Sequence, residues 1–403
     1  MPTDDEQFRF AYEPGVIRYG EESVQNLSGE LAGQGFDRAL VVCGRTVGST
    51  PEVIDPVREG LGERLAGVFA ETTPKKRLGT AVSGVERMQA VDADALVGLG
   101  GGSSLDVAKA MQVVAGSDRD PAAIGEEFEA TGTITVPESV PPLFAIPTTL
   151  AGADLSQLAG LTASPESGLV EKPVRGGLDH PRLMPAGLFY DPDIVATTPR
   201  EILAGSAMNG FDKGIETLYA RNRTPITDAT AARGIRLLRD GLPTLADDRR
   251  SWDMASIVQG IVLVQYGISR PDGTTLSLIH AFGHGLKAHA DVQQGVAHAV
   301  VAPHALAYLF EAVDGNRDLL AEALAVPTEG RSREDTADGI VSAVAGVRDA
   351  LGLPARLRDV DAIERSALDA MARTTVEDSL LENCPPGLDP TEDELRAVLE
   401  RAW

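Results

Sequence analysis

Apolar residues in the first half of the chain fall into short uninterrupted runs. The clearest runs cover residues 38–43, 95–99 and 143–146, and segments with helical spacing lie between them. Runs of this kind are typical of strands buried on both faces, as in a parallel sheet covered by helices. The first half is therefore predicted to be an α/β domain.

The pattern changes near Pro199. Beyond it, long stretches rich in Ala, Leu, Arg and Glu have helical spacing, and β-branched runs become rare. A chain of 403 residues is expected to form two domains, since single cores seldom exceed about 250–300 residues. We predict an α/β domain over residues 1–195 and an α-helical domain over residues 196–403. The Pro- and Gly-rich stretch 166–184 is predicted to be an irregular surface excursion.

Composition restricts the function classes. The sequence is 43% apolar and 24% charged, as in globular enzymes, and carries a formal net charge of −24. Because nucleic acid and anionic membranes would be repelled, neither is expected as a partner. The dispersed acidic residues favour a halophilic protein, and an ordinary acidic enzyme is the alternative. Cys43 and Cys384 are too few for a disulfide framework, and no apolar run spans a bilayer, so we expect a cytoplasmic protein.

A glycine-rich turn follows the apolar run 95–99. It reads Gly100-Gly101-Gly102-Ser103-Ser104 and leads into a segment with helical spacing. A strand, a glycine turn and a helix start together form an anion site, because the first N–H groups of the helix and its dipole attract negative charge. A tight turn without a ligand is the alternative, but the context favours phosphate binding.

The sequence GGGSSLDVAKA resembles the GGGSxxDxAK signature of the iron-containing, or group III, alcohol dehydrogenase family, not the common GxGxxG fingerprint. The resemblance continues through residues 145–153 and 189–192 and through a histidine-rich segment, so it covers most of the chain. It implies a Rossmann-like N-terminal domain, a helical C-terminal domain, a dehydroquinate synthase-like fold with a cleft between the domains, and a homodimer.

The same resemblance implies the residues that bind a nicotinamide dinucleotide. The implied residues are Gly100, Gly101, Gly102, Ser103 and Ser104 at the pyrophosphate, Thr148, Thr149 and Leu150 at the nicotinamide end, and Asp106 and Lys172 as further candidates. For Asp106 and Lys109, a structural role inside the helix is an equal alternative. Many family members carry an acidic residue where Gly44 stands, with Arg45 beside it. Because a small residue and a guanidinium suit a 2′-phosphate, we predict NADP use at least as good as NAD use; a surface Arg unrelated to cofactor is the alternative.

Five of the six histidines lie within one short segment, between His280 and His304. His280 and His284 are four residues apart on one helix face and resemble the family's HxxxH motif. Taken alone, this pair would suggest a metal site. The family's ligand positions, however, fall on Asn209, Lys213, His280 and Gln294. This set has no anionic ligand and its ammonium would repel a divalent cation, so we predict that metal is absent. If the alignment is shifted to use Asp212 and Glu216, carboxylates return to the ligand set. The shifted alignment, however, loses the match of Glu216 and Tyr219 to the family's sequence at the end of this helix.

Three features resemble the maleylacetate reductase branch of the family: Asn209, the sequence LYA at the end of the same helix, and the segment HAVVAPHALAY. That branch usually has His where Lys213 stands. We therefore predict an NAD(P)-dependent oxidoreductase that transfers a hydride between nicotinamide and a small alcohol or carbonyl substrate, with carboxylate-bearing compounds among the candidate substrates. Lys213 would stabilise the developing alkoxide or bind a substrate carboxylate, and His284 or His280 would relay the proton; alternatively Lys213 only fills the vacated metal site. A metal-dependent alcohol dehydrogenase, a lyase resembling dehydroquinate synthase, and a degenerate dinucleotide-binding protein are the alternative functions.

Overall fold

The structure, a computed structural model, describes residues 7–271 and 273–403. The chain folds into two compact units: Glu13–Thr198, and Pro199–Trp403 together with the described residues that precede Glu13. The sequence assigned those N-terminal residues to the α/β domain, but they pack on the helical unit. The Tyr12 ring meets Tyr266 edge-on at 4.9 Å, and the Arg270 guanidinium lies 5.3 Å from the centre of the Phe10 ring. Contacts of aromatic rings therefore attach these N-terminal residues to the helical unit.

The α/β unit, residues 13–198, is described throughout. Its strands are β1 (Val16–Tyr19), β2 (Ala39–Gly44), β3 (Leu65–Thr72), β4 (Ala95–Gly100), β5 (Leu143–Pro147), β6 (Leu158–Ala163), β7 (Val174–Asp179) and β8 (Gly187–Tyr190). Its helices are α1 (Leu27–Gly33), α2 (Arg45–Ser49), α3 (Pro51–Leu61), α4 (Leu78–Ala90), α5 (Gly102–Ala115), α6 (Pro121–Thr131) and α7 (Pro192–Ala196). Six strands form a sheet in the order β1-β8-β5-β4-β2-β3, and every neighbouring pair in it is parallel.

Alternate residues of the central strands enter two different cores. In β2, Leu40 and Val42 belong to one buried cluster, whereas Val41 and Cys43 belong to the other. This division is what a parallel sheet covered by helices on both faces produces. The prediction of such a sheet from the apolar runs is confirmed, and it brings the carboxyl ends of β2, β3 and β4 to one edge.

The stretch 166–184 is not the irregular excursion that its Pro and Gly content predicted. It contains β7, which pairs antiparallel with β6 from Leu158↔Asp179 to Ala163↔Val174. The glycines permit close packing rather than disorder: a Cβ on Gly176 would lie 1.8 Å from the carbonyl oxygen of Gly132. The composition was therefore misleading for residues 174–179, because Gly176 and Gly177 serve close contact rather than a turn.

The helical unit is built from amphipathic and fully buried helices. Its helices are α8 (Arg200–Tyr219), α9 (Pro225–Gly241), α10 (Met254–Gln265), α11 (Leu278–His289), α12 (Gln294–Ala312), α13 (Arg317–Ala323), α14 (Arg333–Ala350), α15 (Leu368–Val376) and α16 (Glu392–Ala402), and two short strands, β9 (Ser269–Arg270) and β10 (Gly273–Thr274), pair antiparallel. Helix α8 is buried along most of its length and packs against α9, α10 and α12, while α11 packs against α12 and α15. Among the described residues, no helix has both the length and the apolarity needed to cross a bilayer.

Candidate active site

The glycine turn between β4 and α5 presents free backbone donors. Gly100 has a φ of +143°, which favours glycine, and α5 begins at Gly102. No side chain in the described part of the chain caps this helix start. The N–H of Ser104 is already turned back to the carbonyl of Gly101 at 3.0 Å, so the donors before it point out of the helix. This turn fits the pyrophosphate of a dinucleotide.

The segment after β5 lies directly against the turn. A Cβ on Gly101 would stand 2.9 Å from Cγ2 of Thr149, and a Cβ on Gly102 would stand 3.2 Å from Cβ of Ala153. Thr148 donates its N–H to the carbonyl of Gly100 at 3.1 Å. The structure therefore places Thr148 and Thr149 beside the glycine turn, whereas Leu150 is almost fully buried.

The other dinucleotide candidates differ in their surroundings. Asp106 is buried and accepts hydrogen bonds from Lys76 Nζ at 2.5 Å and from the N–H of Gly160 at 3.1 Å. Its carboxylate is thus engaged inside the protein, which agrees with the structural alternative. Lys172 is 75% exposed and pairs with Glu129 of α6 at 3.9 Å rather than with a residue of the turn.

Gly44 and Arg45 lie where β2 ends and α2 begins. A Cβ on Gly44 would approach the carbonyl oxygen of Thr72 only to 3.4 Å, which is ordinary contact. Arg45 is exposed. Thr72, at the end of β3, is hydrogen-bonded through its Oγ1 to Oγ of Ser104 at 2.7 Å, so the ends of β2 and β3 and the start of α5 form one neighbourhood.

In the helical unit, His280 is held from both ring nitrogens. Its Nδ1 lies 2.5 Å from Oε2 of Glu216, and its Nε2 lies 3.1 Å from the side-chain amide of Asn209. Glu216 also accepts the N–H groups of Ile279 at 2.7 Å and of His280 at 3.0 Å, so it binds the N-terminal end of α11. Three groups of α8 and α11 thereby fix the orientation of one imidazole.

Burial determines the protonation of this pair. It lowers the pKa of His280 well below its usual value of 6.5, and the nearby charges of Lys213 and His284 act in the same direction. Burial raises the pKa of Glu216 to about 7, although the backbone N–H groups oppose the rise. The atom of Asn209 nearest to Nε2 of His280 is Oδ1, at 3.1 Å. If a neutral His280 donates its Nδ1–H to Glu216, Nε2 is an acceptor, and the hydrogen bond to Asn209 requires the amide orientation that presents the NH₂ group.

Lys213 and His284 occupy more accessible positions. Lys213 lies one turn after Asn209 on α8, and its Nζ is 3.3 Å from Oε1 of Gln265 on α10. His284 is 46% exposed, and its Nδ1 is 2.7 Å from Oδ2 of Asp378. Asp378 orients the ring in the manner of a carboxylate behind a catalytic histidine. The structure therefore places Lys213, His280 and His284 in one part of the helical unit.

A second carboxylate–imidazole pair lies beside His280. Asp212 and His298 are fully buried, with Asp212 Oδ2 3.5 Å from His298 Nδ1, and the rings of His280 and His298 meet edge-on at 4.3 Å. Burial raises the pKa of Asp212 well above its usual value, and Glu216 adds to the rise; burial also lowers the pKa of His298. Both shifts favour the uncharged form of the group concerned. Gly283 makes room for the pair, since a Cβ there would stand 2.3 Å from His298 Nε2.

The donor set does not fit a divalent metal ion. At the family positions the side chains are the amide of Asn209, the ammonium of Lys213, the imidazole of His280 and the amide of Gln294, whose Oε1 is 3.5 Å from Nζ of Lys287. None is anionic, and an ammonium has no lone pair to donate. Within residues 7–271 and 273–403, no group of three or more His, Cys, Asp or Glu side chains is arranged to hold a metal.

Sequence reasoning assigned no role here to Asp378, Gln265 or His298, and it considered Asp212 and Glu216 only as carboxylates of a shifted metal alignment. Glu216 and Asp378 act on histidines that are 64 and 94 residues away in the sequence, and Gln265 and the Asp212–His298 pair are brought in by helix packing. The only available signal was the position of Glu216, seven residues after Asn209 and thus on the same face of α8. The remaining partners depend on which helices meet.

Comparison with known proteins identifies the class to which this fold and site belong. A family model described as iron-containing alcohol dehydrogenase matches residues 14–192, and the model of the C-terminal part of that family matches residues 203–403. The protein is therefore an oxidoreductase of the alcohol dehydrogenase and reductase class. It belongs to the iron-containing alcohol dehydrogenase family, which confirms the resemblance found in the sequence.

Individual relatives match over nearly the whole chain. Maleylacetate reductase from Rhizobium sp. is 28% identical, over 98% of this chain and 97% of that protein. NAD-dependent methanol dehydrogenase from Bacillus methanolicus is 26% identical, over 92% of this chain and 94% of that protein. The solved structure of alcohol dehydrogenase from Oenococcus oeni, 21% identical, has a TM-score of 0.85 and covers 98% of this chain and 100% of its own; it supports the fold alone.

Proposed function

We propose that this protein is an NAD(P)-dependent dehydrogenase or reductase of small alcohols or carbonyl compounds that works without the family's metal ion. The observation that carries the proposal is the Asn209 amide at His280 Nε2, with Lys213 one turn further along α8. An amide and an ammonium stand at positions where the family binds metal. The proposed sites are the glycine turn for the dinucleotide and the Lys213, His280 and His284 group for the substrate.

A bound nicotinamide would supply or accept the hydride. During reduction, negative charge develops on the carbonyl oxygen, and the Lys213 ammonium can stabilise it in place of a metal. The oxygen then needs a proton. His284 is suited to relay it, because it is partly exposed and its Nδ1 is held by Asp378. His280 is neutral and fully buried, so its proposed part is to hold a hydrogen-bonding geometry with Glu216 and Asn209.

Two finer proposals concern cofactor and substrate. Two residues at the end of β2 support the use of NADP. Gly44 has no side chain that could repel a 2′-phosphate, and the exposed Arg45 offers a guanidinium that could bind one. A carboxylate-bearing substrate is supported by Lys213 and Lys287, whose charges both act on the buried His298 in a protein of net charge −24. Two ammonium groups in one region of so acidic a chain favour an anion.

The proposal is tested with one pair of charge-matched variants. Lys213→Met is expected to lower kcat by about a hundredfold, the effect of removing one group that stabilises a developing oxyanion. Arg233→Met removes the same charge from an exposed position on α9 and should leave kcat within a few-fold. Turnover is measured in high salt with NADPH and NADH on small aldehydes, ketones and keto acids, with and without a chelator.

Metal content decides the remaining point. We expect the dialysed protein to contain much less than one equivalent of iron or zinc by elemental mass spectrometry, and its turnover to be insensitive to chelator. One tightly held ion per chain, or turnover abolished by chelator, would contradict the metal-free mechanism. A near-normal kcat in Lys213→Met would mean that Lys213 only fills the space of the metal site and takes no part in turnover.

A further inference from the structure

Lys109 is a fully buried lysine to which the chemistry above gives no role. It lies on α5, two turns after the glycine turn, with an exposed fraction of 0%. Its Nζ donates to three backbone carbonyls, those of Ala153 at 3.0 Å, Ser156 at 2.5 Å and Leu158 at 2.9 Å. All three ammonium protons are therefore used, and all three acceptors belong to one short segment. Because burying a charge is costly, this arrangement needs a reason.

Asp106, one turn earlier on the same helix, completes the attachment. Its Oδ2 accepts the N–H of Gly160, two residues beyond the last carbonyl that Lys109 holds. In the sequence GGGSSLDVAK, Asp106 thus binds a backbone N–H and Lys109 binds backbone carbonyls, all of one stretch of chain. The ammonium of Lys76, two residues before α4, balances the charge of Asp106. The motif's two charged residues therefore fasten the chain between β5 and β6 to α5.

The fastened segment is the one that covers the glycine turn. Residues 148–157, all of them described, form neither helix nor strand. Thr149 and Ala153 pack against the positions where Gly101 and Gly102 would carry side chains. Ala153 also supplies one of the carbonyls bound by Lys109. The ammonium thus acts directly on a residue that touches the turn.

We propose that Lys109 is a positioning residue for dinucleotide binding, which acts by holding residues 148–158 against Gly101 and Gly102. The proposal rests on the proposed function in one respect only, that the dinucleotide binds at this turn. Lys109 itself touches no cofactor. It determines where Thr148 and Thr149 lie, and so the shape of the surface that meets the pyrophosphate and the nicotinamide end.

The charge of Lys109 makes the attachment depend on pH. Burial lowers the pKa of Lys109 to about 8, while the carboxylates of Asp106 and Asp154 oppose the shift and Lys76 adds to it. Above that pH the amine loses one of its three donors and its charge. One of the three carbonyls then loses its partner, and the remaining bonds become weaker because the donor is neutral.

The test compares Lys109→Met with Gln112→Met. Gln112 is also buried on α5, but its Nε2 donates to the carbonyl of Pro141 at 2.8 Å, outside the segment. In Lys109→Met, amide hydrogen exchange over residues 149–160 should become about tenfold faster or more, and the dissociation constants of NADPH and NADH should rise about tenfold, the effect of losing bonds from a charged donor. Turnover at saturating dinucleotide should change much less, giving a split between KM and kcat. Gln112→Met should leave the exchange of residues 149–160 and both dissociation constants unchanged.

The outcomes separate the two proposals. A wild-type enzyme that binds neither dinucleotide overturns the proposed function, whereas exchange still reports whether Lys109 holds the segment. A folded Lys109→Met with wild-type exchange, or with faster exchange but wild-type affinity, overturns the positioning role. If that variant does not fold, wild-type exchange over residues 149–160 is followed from about pH 7 to about pH 9.5 and corrected for intrinsic rates. Protection should fall with a midpoint near pH 8, and protection independent of pH overturns the proposal.

Discussion

The two candidate sites are built from different kinds of groups. In the α/β unit, the glycine turn offers backbone N–H groups, and its geometry depends on the consecutive glycines Gly100, Gly101 and Gly102, where β4 ends and α5 begins. In the helical unit, the site consists of side chains from α8, α10, α11 and the segment after α15. A backbone site is preserved as long as its small residues are preserved. A side-chain site can change its chemistry through single substitutions while the helices that carry it stay the same.

This difference would account for a sequence that matches the family while the residues that the resemblance aligns with its ligand positions differ. The fold needs Glu216 at the N-terminal end of α11 and glycines where helices touch, such as Gly295, whose Cβ would stand 1.6 Å from the carbonyl of Gly205. It has no such need for a carboxylate at Asn209 or an imidazole at Lys213. The helical unit should therefore be the more sensitive of the two to substitutions that change charge without changing shape.

The largest effect is expected from Glu216→Gln. The amide keeps the size of the side chain but cannot accept from both His280 Nδ1 and the N–H groups of α11. We expect kcat to fall by about 10–100-fold, as when the partner that orients a functional histidine is lost, and the free energy of unfolding to fall by about 1–3 kcal/mol. Steady-state kinetics and denaturant unfolding measure both.

The matched control is Glu201→Gln, which removes an exposed carboxylate from the first turn of the same helix. It should leave kcat unchanged, because it contacts none of the groups around His280. A wild-type kcat in Glu216→Gln would show that the orientation of His280 does not matter for turnover. It would also contradict the conclusion that the site in the helical unit is the more sensitive to changes of charge.

A smaller effect, confined to one cofactor, is expected in the α/β unit. Gly44→Asp places a carboxylate at the end of β2, where the backbone has room for a Cβ. The dissociation constant of NADPH should rise about tenfold through repulsion of its 2′-phosphate, while that of NADH stays constant or falls. Gly29→Asp adds the same charge to α1 at an open position and should change neither. Strong preference of the wild type for NADH would remove the basis of the NADP proposal.

The same contrast sets how far the sequence could predict the structure. The runs 38–43, 95–99 and 143–146 became β2, β4 and β5 because a strand buried on both faces has an apolar signature of its own. The glycine turn was recognisable because its chemistry lies in consecutive residues. Asp378 at His284 and Lys109 under the turn were not, because the first partner is 94 residues away and the second acts through backbone carbonyls. Carbonyls are present in every residue, so a sequence gives no sign of which ones a lysine will bind.

The smallest expected effect concerns stability rather than turnover, and it tests the neutral Asp212–His298 pair. The pKa of Asp212 is raised, so between its usual value of 3.8 and its raised value the folded protein holds a proton that the unfolded chain lacks. Stability from this group is therefore present at low pH and lost as the pH rises. Relative to Asp212→Asn, the wild type should gain unfolding free energy as the pH falls towards 3.8, with a limiting slope of about 1.4 kcal/mol for each pH unit.

His298→Asn gives the comparison of opposite sign. The pKa of His298 is lowered, so below its usual value of 6.5 the unfolded chain binds a proton that the folded protein does not. Relative to this variant, the wild type should lose stability as the pH falls below 6.5. Urea unfolding at fixed salt measures both differences. Differences of the same sign in the two variants would mean that Asp212 and His298 are not both uncharged in the folded protein.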